Sequence, residues 1–191
     1  HNRDAYTNAK TEFVKKYTEK AKAFYGNRYW QIPIGRTVRK IRICRCAMEL
    51  KLIELTHKND VCKTYEIYKH CMFLPTEEKF NNKIDTFLID NSVKIFACFN
   101  QGEIVGVIVI SFSEQRKIEI IGIAVELSAR GKGIGSYMIN QIVKYYGLIS
   151  VYAETDNDAV GFYLKNNFSV TEFYETYGDE TVLRYKCELN R

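Results

Sequence analysis

The sequence predicts one mixed α/β domain of the α+β kind, with a sheet of about seven strands and four helices, preceded by a basic helical extension. Three observations carry this. The order of apolar patterns from Met48 onward alternates strand-like and helix-like runs; one central run is almost continuously apolar; and a glycine-rich turn, "RGKGIG", opens a long amphipathic segment. At 191 residues the chain suffices for a single ordinary core. A composition 46% apolar and 27% charged belongs to a folding chain rather than a disordered one.

The elements from Met48 follow from periodicity. "MELKLIEL" alternates as a strand, while "DVCKTYEIYKHCMFL" and "TEEKFNNKIDTFLID" have helical spacing on either side of Pro75. "VKIFACFN" and "IVGVIVISFS", joined through "GE", read as a hairpin whose second strand is central, and "RKIEIIGIAV" is the next strand. In "GIGSYMINQIVKYYG" the residues Ile134, Met138, Ile142 and Tyr145 share a helical face. "ISVYAET" is a buried strand, "DNDAVGFYLKNN" a short helix opened by an Asp/Asn cap, and "FSVTEFYET" with "ETVLRYKCEL" a closing antiparallel pair. No internal repeat interrupts this order.

Residues 1–47 differ in character. They hold 12 Lys and Arg against 3 Asp and Glu, a net +9, whereas residues 48–191 hold 16 against 20, a net −4. Tyr6, Ala9, Phe13, Tyr17, Ala21 and Phe24 form one apolar stripe with lysines opposite, an amphipathic helix stopped by Gly26 and Asn27. The preferred reading packs this helix on the domain or on a partner chain and turns its lysines to solvent. The alternative is a nucleic-acid-binding arm in which Tyr29 and Trp30 stack on bases. One further reading makes Met48 the natural start.

No stretch reaches the roughly 18 to 20 apolar residues of a membrane-spanning helix, and no apolar signal core precedes the first helix. A cytoplasmic protein without a membrane partner is expected. The six cysteines contain no CxxC pair and no histidine at zinc spacing, so no metal is expected and the thiols are read as reduced. Cys44 and Cys46 form a CxC that alternate positions of a strand also produce.

Gly131, Gly133 and Gly135 remove β-carbons where a strand turns into a helix, so the first helical N–H groups can face an anion closely. A helix start carries partial positive charge, and Arg130 and Lys132 add full charges. A Walker A loop would need Gly-Lys-Ser/Thr where Gly135 is followed by Ser136 and Tyr137. A dinucleotide fingerprint would need GxGxxG, and this run is GxGxG.

"RGKGIG" matches the Q/R-x-x-G-x-G/A signature of the GNAT N-acetyltransferase superfamily, with Arg130, Gly133 and Gly135 at its defining positions. "IGIAVELSARGKGIG" resembles the family's fourth strand and acyl-CoA loop. "ETDNDAVGFYLKNNF" is similar to its fifth strand and fourth helix. The resemblance covers residues 48–191 and is sharpest over 119–168. It implies a mostly antiparallel sheet splayed between strands four and five, with acetyl-CoA as co-substrate lying in the gap. Asp156 stands where many members carry an Asn that contacts the pantetheine arm, and Asn157 is the neighbouring candidate. Asn167 replaces the usual Gly before Phe168, and Asn tolerates left-handed backbone better than most residues.

The resemblance also implies roles. Cofactor contacts fall on Ile123, Ala124 and Val125 of the strand, on Arg130, Gly131, Lys132, Gly133, Ile134, Gly135 and Ser136 of the loop and helix start, and on Asn157. Acetyl transfer to an amine needs a base, a donor to the developing oxyanion and an acid for the leaving thiolate. Glu119, six residues before Val125, matches the general-base glutamate of the histone-acetylating branch, and a carboxylate in an apolar strand suits a base working near neutrality. The plainer reading pairs Glu119 with Arg116 and Lys117 at an exposed strand end. Tyr163 matches the tyrosine that protonates the thiolate; its plain alternative is a core aromatic beside Phe162. His57 and His70 are read as surface or packed histidines.

The expected function is therefore an acetyl-CoA-dependent N-acetyltransferase acting on a primary amine of a small molecule, protein or peptide. The alternatives are a nucleic-acid- or ribosome-associated acetyltransferase using the basic arm and a non-catalytic CoA-binding module; a homodimer is left open. Glu66, Glu77, Glu78 and Asp85 make the region near residues 60–90 acidic, which favours a cationic acceptor.

Overall fold

The structure, a computed structural model, describes residues 48–177 and 180–191. The helix expected at 5–25, the pair Tyr29 and Trp30, and the Cys44–Cys46 pair lie outside the described residues.

The described part begins with β1 (Leu50–Glu54), α1 (Lys58–Cys62), α2 (Tyr65–Tyr68), a 3-10 turn (Lys69–Cys71) and α3 (Glu77–Ile89). Three strands follow, β2 (Val93–Asn100), β3 (Glu103–Glu114) and β4 (Lys117–Val125). A 3-10 turn (Leu127–Ala129) leads to α4 (Ile134–Tyr146), β5 (Ser150–Thr155), α5 (Val160–Lys165), β6 (Ser169–Tyr177) and β7 (Glu180–Asn190). The seven strands make one sheet ordered β1-β2-β3-β4-β5-β7-β6. Every neighbouring pair is antiparallel except β4 and β5, which run parallel because α4 carries the chain back across the sheet.

Local chemistry sets the boundaries. Gln101 and Gly102 close the β2–β3 hairpin with φ of 52° and 89°, the pattern of a two-residue turn that suits strand twist. Thr76 caps α3 by accepting the Lys79 N–H at 3.1 Å. The run expected as one helix over 60–74 is instead two short helices and a 3-10 turn, so five helices are described where four were expected. The break falls at buried Thr64, whose hydroxyl donates to the Val61 carbonyl at 2.7 Å while its own carbonyl accepts the Ile67 and Tyr68 amides. A side chain bonded to the preceding turn competes with the regular ladder.

The sheet is covered on both faces. Val61, Ile67, Tyr68, Phe80 and Ile84 of α1–α3 pack on Val93, Ile95, Val107, Val109 and Ala124. On the other face α4 sets Ile134, Met138, Ile139, Ile142 and Val143 against Ile108, Ile110, Ile118 and Ile120, and α5 adds Tyr163. Tyr145, expected on the buried face of α4, is 77% exposed. Tyr146 packs in its place, edge-on to Phe112 at a centroid distance of 5.0 Å.

Candidate active site

The parallel pairing of β4 with β5 covers only Lys117–Glu119 against Ser150–Tyr152. Both strands continue, β4 to Val125 on β3 and β5 to Thr155 on β7, but no longer pair with each other. The reason lies in the register. Val109 of β3 faces Gly122 and the next residue, Ile110, faces Ile120, so Ile121 is an extra residue in β4. Such a bulge bends and twists its strand. It falls just past Glu119, the last β4 residue that β5 still pairs. From Ile120 to Val125 alternate backbone groups of β4 therefore face a parting rather than a strand. Ile123 and Val125 lean to the α4 side and Ala124 to the α1–α3 side.

The loop after β4 ends at an open helix start. Gly131 and Gly133 have φ of 74° and 80°, left-handed values that L side chains resist, and a β-carbon on either would meet nothing within 4 Å. Gly133 caps α4 without any side-chain bond, and the first helical bond runs from the Tyr137 N–H to the Gly133 carbonyl. The amides of Gly133, Ile134, Gly135 and Ser136 thus have no partner among the described residues. Gly135 has a different task from the other two, because a β-carbon there would come within 2.7 Å of the Phe162 ring. Arg130 folds back so that Nε donates to the Val125 carbonyl at 3.0 Å, and Lys132 Nζ donates to the Ser128 carbonyl at 2.9 Å. These two bonds tie the loop's cations to carbonyls at the end of β4 and in the 3-10 turn.

The expected base and acid sit in different layers. Glu119 alternates with Ile118 and Ile120 of the α4-side core, so it faces the α1–α3 side, and its Oε2 accepts the Tyr152 hydroxyl at 2.8 Å. The plainer pairing of Glu119 with Arg116 and Lys117 is not seen: Arg116 Nε donates to the Gly147 carbonyl and Lys117 pairs with Glu114 at 2.8 Å. Tyr163 is 5% exposed, edge-on to Phe162 and Phe168. Burial pushes its phenol well above the ordinary range, and the Cys187 and Cys71 thiols and Asp156 add to the push.

Asp156 spends Oδ1 on the amides of Asp158 and Ala159, both at 3.1 Å, which shapes the turn into α5. Asn157 Oδ1 accepts the Tyr185 hydroxyl at 3.3 Å. Asn167 has φ of 64°, the left-handed backbone a Gly would supply. His57 and His70 are both exposed. The acidity expected over residues 60–90 is partly neutralised, since Asp85 pairs with Lys58 and Glu66 with Lys69, both at 2.5 Å. Carboxylates nearer the parting are Glu119, Glu154 and Glu188.

Two residues of this region escape a linear reading. Tyr68 lies over β4, with Oη 2.7 Å from where a Gly122 β-carbon would stand. A Gly inside an apolar strand signals such a close approach but does not name the visitor. Tyr152 is one more aromatic in a strand until the register sets it opposite Glu119. Among the described residues no group of three or more His, Cys, Asp or Glu is placed to hold a metal ion, and no helix is long and apolar enough to cross a membrane.

A seven-stranded sheet of this order, parted between two parallel strands beside an uncapped helix start, defines the acetyltransferase type of α+β fold. The model of the acetyltransferase (GNAT) family matches residues 61–168, and the chain belongs to that family. Among solved structures it is similar to an IAA acetyltransferase from Bacillus cereus, 19% identical over 74% of this chain and 99% of that one, with a TM-score of 0.54. It is also similar to a Bacillus subtilis acetyltransferase in complex with CoA, 17% identical over 75% and 99%, TM-score 0.56. A GNAT family acetyltransferase from Elizabethkingia anophelis with acetyl-CoA bound is 18% identical over 74% and 98%, TM-score 0.55. At these identities the likeness is one of fold. Comparison with curated protein sequences finds no match.

Proposed function

We propose that the chain transfers an acetyl group from acetyl-CoA to a primary amine. The observation that carries this reading is the row of unpartnered amides from Gly133 to Ser136 at the uncapped start of α4, beside the bare edge of β4. Free N–H groups on a helix start suit a diphosphate, and a strand edge without a partner suits a chain that itself carries amides. In this reading Arg130, Gly131, Lys132, Gly133, Ile134, Gly135 and Ser136 hold the diphosphate, while Ile123, Ala124 and Val125 align the pantetheine arm. Asn157 serves the arm by releasing Tyr185. Membership of an acetyltransferase family supports the same choice.

The thioester supplies an activated acyl carbon. Glu119, on the α1–α3 side, takes the proton the amine gives up as its nitrogen bonds to that carbon. Tyr163, on the α5 side, gives its proton to sulfur as the carbon–sulfur bond breaks. Burial favours the neutral phenol, which is the form an acid needs. Base and acid on opposite faces of the sheet can serve one reaction only through the parting between β4 and β5.

The test is release of CoA thiol from acetyl-CoA by the full chain against polyamines, aminoglycosides and lysine-bearing peptides, with calorimetry of CoA binding in parallel. The reading expects binding heat and thiol release with at least one amine. Absence of heat with CoA would end it; heat without turnover on any amine would leave a CoA-binding module.

A further inference from the structure

We propose that Tyr152 is a positioning residue for Glu119, holding its carboxylate in place at the mouth of the parting; the inference rests on the reading of Glu119 as proton acceptor. Glu119 and Tyr152 are the last residues that β4 and β5 pair before they separate. A side chain at that rung loses the support of a neighbouring strand on the side where substrate must enter. Tyr152 replaces that support with one bond, its hydroxyl donating to Oε2 of Glu119 at 2.8 Å. Oε1 of the same carboxylate has no partner among the described residues. One oxygen is anchored and the other is left to take a proton.

Tyr152 is itself held from the far side. Glu188 of β7 stands opposite it and Lys186 opposite Glu154; Lys186 pairs with Glu188 at 3.0 Å and sets its Nζ 5.7 Å from the centre of the Tyr152 ring. A cation over the ring and a carboxylate at the hydroxyl fix both ends of the phenol. The titratable groups beside Glu119 on this face of the sheet are Tyr152 and Glu154 of β5, Lys186 and Glu188 of β7, and Lys117 of β4 with its partner Glu114, while Tyr68 lies over the same strand at Gly122. Tyr152 is the one among them that hydrogen-bonds to Glu119. Loss of that donor leaves Oε2 without its anchor.

The experiment is carboxyl-carbon NMR at neutral pH on the full chain labelled at glutamate, in wild type and in Tyr152→Phe, with Glu119→Gln to assign the signal. Phenylalanine keeps the ring and removes only the donor. At neutral pH the Glu119 carboxyl signal is expected to be displaced in Tyr152→Phe while the other glutamate signals hold, with the thermal midpoint little changed. A Glu119 signal that stays in place would overturn the proposal, and so would displacement of all glutamate signals together. The measurement needs neither acceptor nor turnover, so its failure is distinct from failure of the acetyl-transfer reading, which the thiol-release assay decides.

Discussion

The edge of the Phe162 ring lies 2.7 Å from where a β-carbon on Gly135 would stand. The first turn of α4 and the body of α5 therefore touch at a point where any larger residue must displace an aromatic ring. Phe162 also meets Tyr163 edge-on with centroids 5.2 Å apart, so a push on one ring reaches the expected acid. Crowding at Gly135 is transmitted to Tyr163 rather than absorbed in solvent.

Gly135→Ala should destabilise the protein by roughly 1–3 kcal/mol, the usual cost of overpacking. Chemical denaturation measures it. Phe162→Leu added to Gly135→Ala should recover part of the loss, because the smaller side chain vacates the contested space. An unchanged denaturation midpoint in Gly135→Ala would show that the two helices do not meet as described.

Gly133 poses a different problem, since its surroundings are open and its backbone is left-handed. Gly133→Val should cost about 1–2 kcal/mol in backbone strain. Whichever way the loop relaxes, the amides that follow lose their alignment. CoA affinity by calorimetry is expected to fall at least tenfold; equal affinity would remove the helix start from the binding site.

Glu119→Gln should lower kcat/KM at neutral pH by about a hundredfold or more, the range for a lost general base. CoA binding should be unaffected. An unchanged kcat/KM would move the base elsewhere.

Tyr163→Phe should lower kcat by about a hundredfold with CoA affinity intact, measured by turnover and calorimetry together. Its burial raises the phenol above its ordinary value, so the acid form persists throughout an ordinary assay range and sets no alkaline limb below pH ~10.

Two buried phenols, Tyr163 and Tyr68, weaken the fold at alkaline pH. For Tyr163 and Tyr68 the folded state holds the proton more tightly than the unfolded chain does, burial being the chief cause. Their contribution is whole below the unfolded value of about 10 and is lost as pH rises past it. The thermal midpoint should decline above that pH, and Tyr163→Phe should soften the decline. A midpoint independent of pH there would contradict their burial.

Periodicity sufficed for all seven strands and for α3 and α4, because an apolar repeat of two or of 3.6 residues is a local property of the chain. It failed over 60–74, where Thr64 diverts its hydroxyl to the Val61 carbonyl and divides a helical pattern into short pieces. It failed again at Tyr145, since spacing alone cannot say how far a helix rotates over the end of a sheet; Tyr146 takes the packed position. Within the site, the three glycines were legible as a group but their division of labour was not. Left-handed φ at Gly131 and Gly133 belongs to a turn, whereas the need for Gly at position 135 comes from a ring 27 residues away in the chain.

By itself the sequence determined the local features from which the proposed chemistry is drawn: a glycine turn between two basic side chains, a carboxylate in an apolar strand and a tyrosine in an aromatic helix. Each is a matter of residue type at a short spacing, and local backbone and side-chain chemistry act over that range. Tertiary structure alone decided that β4 and β5 part just beyond Glu119, that Tyr152 holds that carboxylate, and that Tyr163 lies in the opposite layer. Strand register, a one-residue bulge and the stacking of helices on two faces bring together residues far apart in the chain. Contacts of that kind depend on the whole sheet closing its hydrogen bonds at once.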